Sequence, residues 1–205
     1  GQHRSAAAQR VKELRRQAAV APTGEESLNY CSAVIFPHNQ MQILDYNRVV
    51  KDLNGLDDEE FLARLQLCFK ARFSRDGAVK PRKEHEFSMY LGGQWYVLEA
   101  IEGLWNDADP VARLDVSILQ NNLLAPLLGI ADPRRDKRID FVGGIRGLQA
   151  LQQRVDSGEC RVAFALYPTS IVSLMAIADA GEVMPPKSTW FEPKLKSGLF
   201  IHVLD

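Results

Sequence analysis

Residues 138–166 read RIDFVGGIRGLQALQQRVDSGECRVAFAL, and three kinds of periodicity follow one another in them. Arg138 to Val142 has the look of a strand. Gly143 and Gly144 then turn the chain into a helix, on which Leu148, Leu151 and Val155 recur at spacings of three and four. Gly158 ends that helix, and Val162 to Leu166 is a continuous apolar strand. Ser170 caps a further helix that Gly181 closes, and Leu199 to Val203 reads as a last strand. Strand, helix, strand, helix, strand predicts a crossover unit with some parallel pairing.

Upstream, the pattern changes to hairpins. His85 to Leu91 and Gln94 to Ala100 alternate around Gly92-Gly93, a strong two-residue turn. Tyr30 to Phe36 and Met41 to Tyr46 read as a second hairpin around Pro37, His38 and Asn39. Between and before these lie helices. Ala7, Val11, Leu14 and Ala18 mark the first, which Pro22, Thr23 and Gly24 end. Asp57 and Glu60 form a capping box ahead of an apolar face of Phe61, Leu65, Cys68 and Phe69. Asp109-Pro110 opens a helix carrying Leu114, Ile118, Leu119, Leu123 and Leu127, with Gly129 at its end. Asn47 to Gly55 has turn residues at both ends. The fold class is therefore α+β: a mixed sheet with antiparallel hairpins and a C-terminal β-α-β-α-β crossover unit. Residues 1–205 read as a single C-terminal domain of a larger protein whose N-terminal half is absent, with any sub-boundary near residues 103–110.

Composition excludes several classes. The 205 residues are enough to bury a core, and 46% hydrophobic with 25% charged residues is ordinary for a globular protein. No apolar run reaches the length of a membrane span. A formal net charge of −1 argues against a large nucleic-acid footprint. Cys31, Cys68 and Cys160 lie far apart, without metal-ligand spacing, which fits a reducing cytoplasm rather than a disulfide framework. The histidines at 38, 85 and 202 show no ligand spacing either, so no metal site is expected.

Four stretches are candidates for polar chemistry. Gly1-Gln2-His3-Arg4 runs into an alanine-rich helix start, the arrangement a phosphate-binding turn needs: a close-approach glycine, free helical N–H groups, and an arginine fork. Met184 to Lys194 is Pro-rich and places Lys187, Ser188, Thr189 and Lys194 beside Trp190 and Phe191. It is too polar for a core strand. A lysine with two hydroxyls suits a phosphate or carboxylate, and an ordered crossing loop is the structural alternative. Gly143-Gly144 exposes backbone donors at a strand end, but lacks both the dinucleotide glycine spacing and the P-loop Lys-Ser/Thr, so a tight structural turn weighs more. Asp45-Tyr46-Asn47-Arg48 reads foremost as turn chemistry.

Several of these stretches together resemble one bacterial family, domain of unknown function 1015. They are Tyr46 to Leu53, Leu114-Asp115-Val116, Arg138 to Gly144, Ala165 to Pro168 and Met184 to Lys194. The likeness spans essentially the whole chain, in a family whose proteins are about twice as long. The family carries an Asp-Gly-His-His-Arg turn near its middle. Gly1 to Arg4 would be its remnant, with Gln2 departing from the usual histidine. That turn is similar to the phosphate-binding Gly-x-x-Arg box of the ParB and sulfiredoxin superfamily, which binds CTP or ATP and includes kinases of free serine.

The resemblance implies a nucleotide, ATP or ADP with Mg²⁺, on Gly1, His3 and Arg4. The substrate side would fall to Lys187, Ser188, Thr189, Lys194, Gly143 and Gly144, with no covalently bound cofactor. The expected activity is a nucleotide-dependent phosphotransferase on a small hydroxylated metabolite such as serine, with its general base in the N-terminal half. A non-enzymatic ParB-like nucleotide switch and a structural companion domain are the alternatives.

Overall fold

The computed structural model describes residues 2–18, 24–194 and 201–203, residues 2–4 by their backbone alone. The chain forms two compact units, Met41–Glu192 and Gly1–Gln40 with Pro193–Asp205. Residues 103–110 lie inside the first of these.

In the smaller unit, α1 (Gln2–Ala18) is the helix the spacing predicts, although Val11 and Leu14 are exposed. Short 3₁₀ turns occupy Ser27–Asn29 and His38–Gln40. The hairpin expected over residues 30–46 does not form. Residues 30–37 pair with no strand among the described residues, and Ile35 is 92% exposed. Strand composition needs a partner ladder, and the predicted partner is engaged elsewhere. Residues 201–203 form no strand, and 199–200 lie outside the described residues. His202 instead bonds through Nε2 to the Ser27 carbonyl at 3.0 Å.

In the larger unit, β1 (Gln42–Leu44) pairs antiparallel with β8 (Trp190–Glu192), so part of the Pro-rich stretch is a strand after all. The main sheet has six strands: β2 (Tyr46–Val50), β3 (Phe69–Phe73), β4 (Glu86–Leu91), β5 (Gln94–Ala100), β6 (Ile139–Gly143) and β7 (Val162–Leu166). Their order is β3-β5-β4-β7-β2-β6. The β4–β5 hairpin turns on Gly92 and Gly93, both at positive φ, as the glycine pair requires.

The α+β class is as expected, and helix α4 (Gly147–Asp156) crosses from β6 to β7. The expected parallel pairing is absent among the described residues. Strand β2 lies between β6 and β7 and runs antiparallel to both, so the crossover strands never touch. Residues 46–50 are thus a central strand rather than a turn.

Both faces of this sheet are covered. On one, Val50, Phe87, Met89, Leu98, Phe164 and Leu166 pack with Phe61 and Leu65 of α2 (Asp58–Leu65), and with Val116, Ile118 and Leu119 of α3 (Asp115–Leu119). On the other, Val49, Tyr90, Val142, Ala163 and Ala165 meet Leu151 of α4. Small residues on β7 let that helix approach closely. Alternate residues of each strand serve the two faces, which is why Val162 to Leu166 reads as one apolar run.

Local signals account for the helix ends. Asp57 accepts from the Glu60 N–H at 2.8 Å, and the Glu60 carboxylate accepts from the Asp57 N–H, closing the capping box. The helix stops at Leu65. Cys68 lies in the following turn and Phe69 opens β3, so the apolar spacing carries on past the helix itself. Ser170 caps α5 (Ile171–Asp179) through the Ser173 N–H, and Gly181 closes it at positive φ. Asp109 caps only a turn, at Val111 and Ala112. The helix predicted there begins at Asp115 and passes into a π-helical segment, Gln120–Leu124. No helix among the described residues is long and apolar enough to cross a membrane.

Candidate functional site

Strand β2 and the residue before it carry three polar side chains into the core. Asn47 has no solvent exposure and is satisfied at both ends of its amide. Its Nδ2 donates to the Asp45 carboxylate at 2.5 Å, and its Oδ1 accepts from the Leu166 N–H at 3.0 Å. This amide ties β2 to β7 where the backbone ladder ends. Asp45 in turn lies against Gly144, leaving no room there for a Cβ, while its carbonyl accepts from the Gly144 N–H at 2.8 Å.

Arg48, next along, is only 4% exposed. One Nη donates to the Tyr46 carbonyl and the other to the Lys187 carbonyl at 3.0 Å. Its guanidinium lies 5.5 Å from the centre of the Phe141 ring. It pairs with no carboxylate among the described residues. Burial draws its pKa down to about 10, although Tyr46 and Asp115 oppose this. Carbonyls and an aromatic face compensate a buried cation only partly. Cation–π contact contributes about 0.5–2 kcal/mol, against a desolvation cost of several.

Lys187 adds a second cation. Its backbone is left-handed, φ 57°, an unusual state for a lysine and one that here accompanies the bond to Arg48. Its Nζ lies 5.5 Å from the Tyr46 ring centre and 5.9 Å from that of Phe141. Two cations therefore share the Phe141 ring. The loop is held by its own bonds: Ser188 Oγ donates to the Pro185 carbonyl at 2.5 Å, and Thr169 Oγ1 donates to the Ser188 carbonyl at 3.1 Å. Trp190 then packs edge-to-face on Tyr46 and covers Gly143.

Beside Arg48 opens a cleft of ≈ 590 Å³. Ser117, Gln120, Asn121, Asp132 and Arg134 supply its polar lining. Val111, Val116, Leu124, Phe141, Met184 and Pro185 supply the apolar part. Arg134 is engaged bidentately with Asp132, at 2.9 and 3.0 Å, so its charge is matched. Asp115, one turn before the π-helical segment, accepts from the His85 N–H at 2.8 Å. Burial pushes its pKa up to about 7, against that bond, with Glu84 adding to the rise and Arg48 opposing it.

Of the residues singled out from the sequence, Lys187 joins Arg48, and Ser188 is buried with its hydroxyl bonded to the loop's own backbone. Thr189 is half-buried beside them. Gly143 and Gly144 lie under Trp190 and Asp45. Lys194 is exposed and belongs to the smaller unit. Gly1 and the side chains of His3 and Arg4 lie outside the described residues. Among the described residues no group of three or more His, Cys, Asp or Glu forms a metal cage. Sequence reasoning read Asn47 and Arg48 foremost as turn chemistry, and passed over Ser117 and Gln120. The available signal for Arg48 was a charged residue inside the strand-like run Tyr46-Asn47-Arg48-Val49-Val50.

Fold and site together define an α+β domain with a cation set into the wall of a cleft. The chain belongs to the family described as protein of unknown function (DUF1015), whose model matches residues 1–117. No curated protein sequence matches it. Among solved structures, a free serine kinase in complex with AMP is similar at 15% identity and a TM-score of 0.45, over 77% of this chain and 57% of that one. A conserved hypothetical protein from Pyrococcus furiosus is similar at 16% identity and a TM-score of 0.43, over 74% of this chain and 56% of that one. This chain thus spans less than two thirds of the structures it resembles. At these values the likeness identifies no activity.

Proposed function

We propose that the chain is part of a bacterial, cytoplasmic, nucleotide-dependent phosphotransferase acting on a small hydroxylated acid, with serine as the simplest case. The observation that carries the reading is Arg48: a cation buried in a cleft wall, with no carboxylate partner among the described residues and with Lys187 beside it over the same ring. Such a pair suits the acidic group of an acceptor or a phosphoryl group in transit. Guanidinium forks bind planar oxyanions with directional, charge-assisted bonds.

In this reading Gly1, His3 and Arg4 hold the phosphates of ATP or ADP, and Mg²⁺ arrives bound to those phosphates. The acceptor hydroxyl oxygen bonds to the terminal phosphorus as the bond to the nucleotide leaving oxygen breaks. The hydroxyl proton passes to a general base. Catalysis then rests on positioning and charge stabilisation.

The test is nucleotide turnover by the full-length protein over a panel of amino and hydroxy acids, with ATP, ADP and CTP. Acceptor-dependent turnover that Arg48→Ala lowers by about tenfold or more supports it. Nucleotide binding that no acceptor converts into turnover favours a switch instead.

A further inference from the structure

Two nine-tenths-buried polar groups line the cleft with unused capacity. Among the described residues Arg48 has no carboxylate partner, and two carbonyls occupy only part of its five-donor fork. Ser117 is 7% exposed, and its hydroxyl makes no hydrogen bond among the described residues. Neither side chain is sealed away from the cavity, so the free part of the guanidinium fork and the Ser117 hydroxyl are both available to a ligand in the cleft. A third feature agrees. The segment Gln120–Leu124 is π-helical, a costly local geometry that is frequent at binding sites, and it supplies Gln120, Asn121 and Leu124 to this wall. Gln120 is itself oriented, since its Nε2 donates to the Ile130 carbonyl at 2.7 Å, leaving its Oε1 as an acceptor.

We propose that this cleft binds an organic carboxylate with a sizeable apolar body. The head group is argued from charge. One buried guanidinium is neutralised by one monoanion, and a carboxylate matches its planar fork. Arg134 and Asp132 already cancel one another, while Lys187 is solvent-exposed. The body is argued from size and lining. A cleft of ≈ 590 Å³ falls in the range that encloses drug-sized molecules, and serine would leave most of it filled with water. Val111, Val116, Leu124, Met184 and Pro185 give the body an apolar wall, with Ser117 and Gln120 placed for a further polar substituent. The inference rests on the phosphotransferase reading only in casting this ligand as the acceptor, and there it replaces serine by a larger hydroxylated acid. Binding itself involves no nucleotide.

Calorimetry on the nucleotide-free protein tests it, with phenylacetate, phenylacetamide, benzyl phosphate, acetate and free serine as probes. Phenylacetate should bind at least about tenfold tighter than the neutral amide, which lacks the charge-assisted bonds, and tighter than acetate or serine, which lack the body. Arg48→Met should abolish the preference for the charged probe. Should that variant fail to fold, Ser117→Ala and Met184→Glu must each weaken phenylacetate with the melting temperature retained. Equal affinity for acid and amide, for phenylacetate and serine, or a stronger preference for benzyl phosphate would overturn the proposal. Loss of turnover with binding intact would sink the kinase reading alone.

Discussion

Trp190 lies on Gly143 so closely that a Cβ at position 143 would sit 2.5 Å from its Cε3. Gly143 has φ −64°, an ordinary conformation, so the glycine answers to the ring above it rather than to the backbone. That ring also meets Tyr46, whose own ring faces Lys187.

Gly143→Ala should therefore overpack the base of the Lys187 loop. The expected cost is about 1–3 kcal/mol of stability. Urea unfolding measures it, and Trp190 fluorescence should shift in the folded state. Gly147→Ala, where nothing lies within 4 Å but φ is +70°, separates strain from crowding.

Replacing Asn47 by Leu should be severe for a different reason. The Asp45 carboxylate and the Leu166 N–H would both lose a buried partner. On the order of 3 kcal/mol is expected, against a change within about 0.5 for the exposed Asn121→Ala. A change as small as that of Asn121→Ala would mean that β2 and β7 do not need this amide.

The capping box gives a smaller, local effect. Asp57→Ala should lower stability by about 1 kcal/mol, through loss of the bond to the Glu60 N–H. Asp57→Asn should retain most of it. Thermal unfolding of the two variants checks the ranking.

Asp115 supplies a pH dependence with a definite sign. Its folded pKa, about 7, lies above the ordinary carboxylate value near 4, so between these limits the native state holds a proton the unfolded state has lost. Its contribution is fully present at low pH and is lost as pH rises toward 7. Asp115→Asn keeps an oxygen for the His85 N–H and should flatten that fall in melting temperature. A variant with an unchanged slope would assign the titration elsewhere.

How much of this was legible depended on distance along the chain. The Gly92-Gly93 hairpin, the Asp57–Glu60 box and the Ser170 cap are settled by neighbours within a few residues, and each formed as expected. Tyr46–Val50 is a central strand only because β6 and β7 flank it, and both lie far downstream. The same holds for Asn47, whose acceptor role depends on the Leu166 N–H, 119 positions away. The apolar run after Asp109 was visible, but nothing in its spacing distinguishes α from π geometry at Gln120–Leu124. Lys187 was singled out from composition, and the fold sets it beside Arg48. Arg48 was read as turn chemistry because its meaning comes from Phe141 and Lys187.

The placing of β2 between two late strands has a consequence for biosynthesis. Arg48 is made 139 positions before the carbonyl that receives it, on the order of ten seconds at ribosomal speed. Until β6 and β7 are made, Tyr46-Asn47-Arg48-Val49-Val50 lacks its strand partners and is a sticky segment with a positive charge at its centre. A charge inside such a segment is the kind of gatekeeper that discourages edge-to-edge association of nascent chains. The same guanidinium thus guards the unfinished polypeptide before it furnishes the finished cleft.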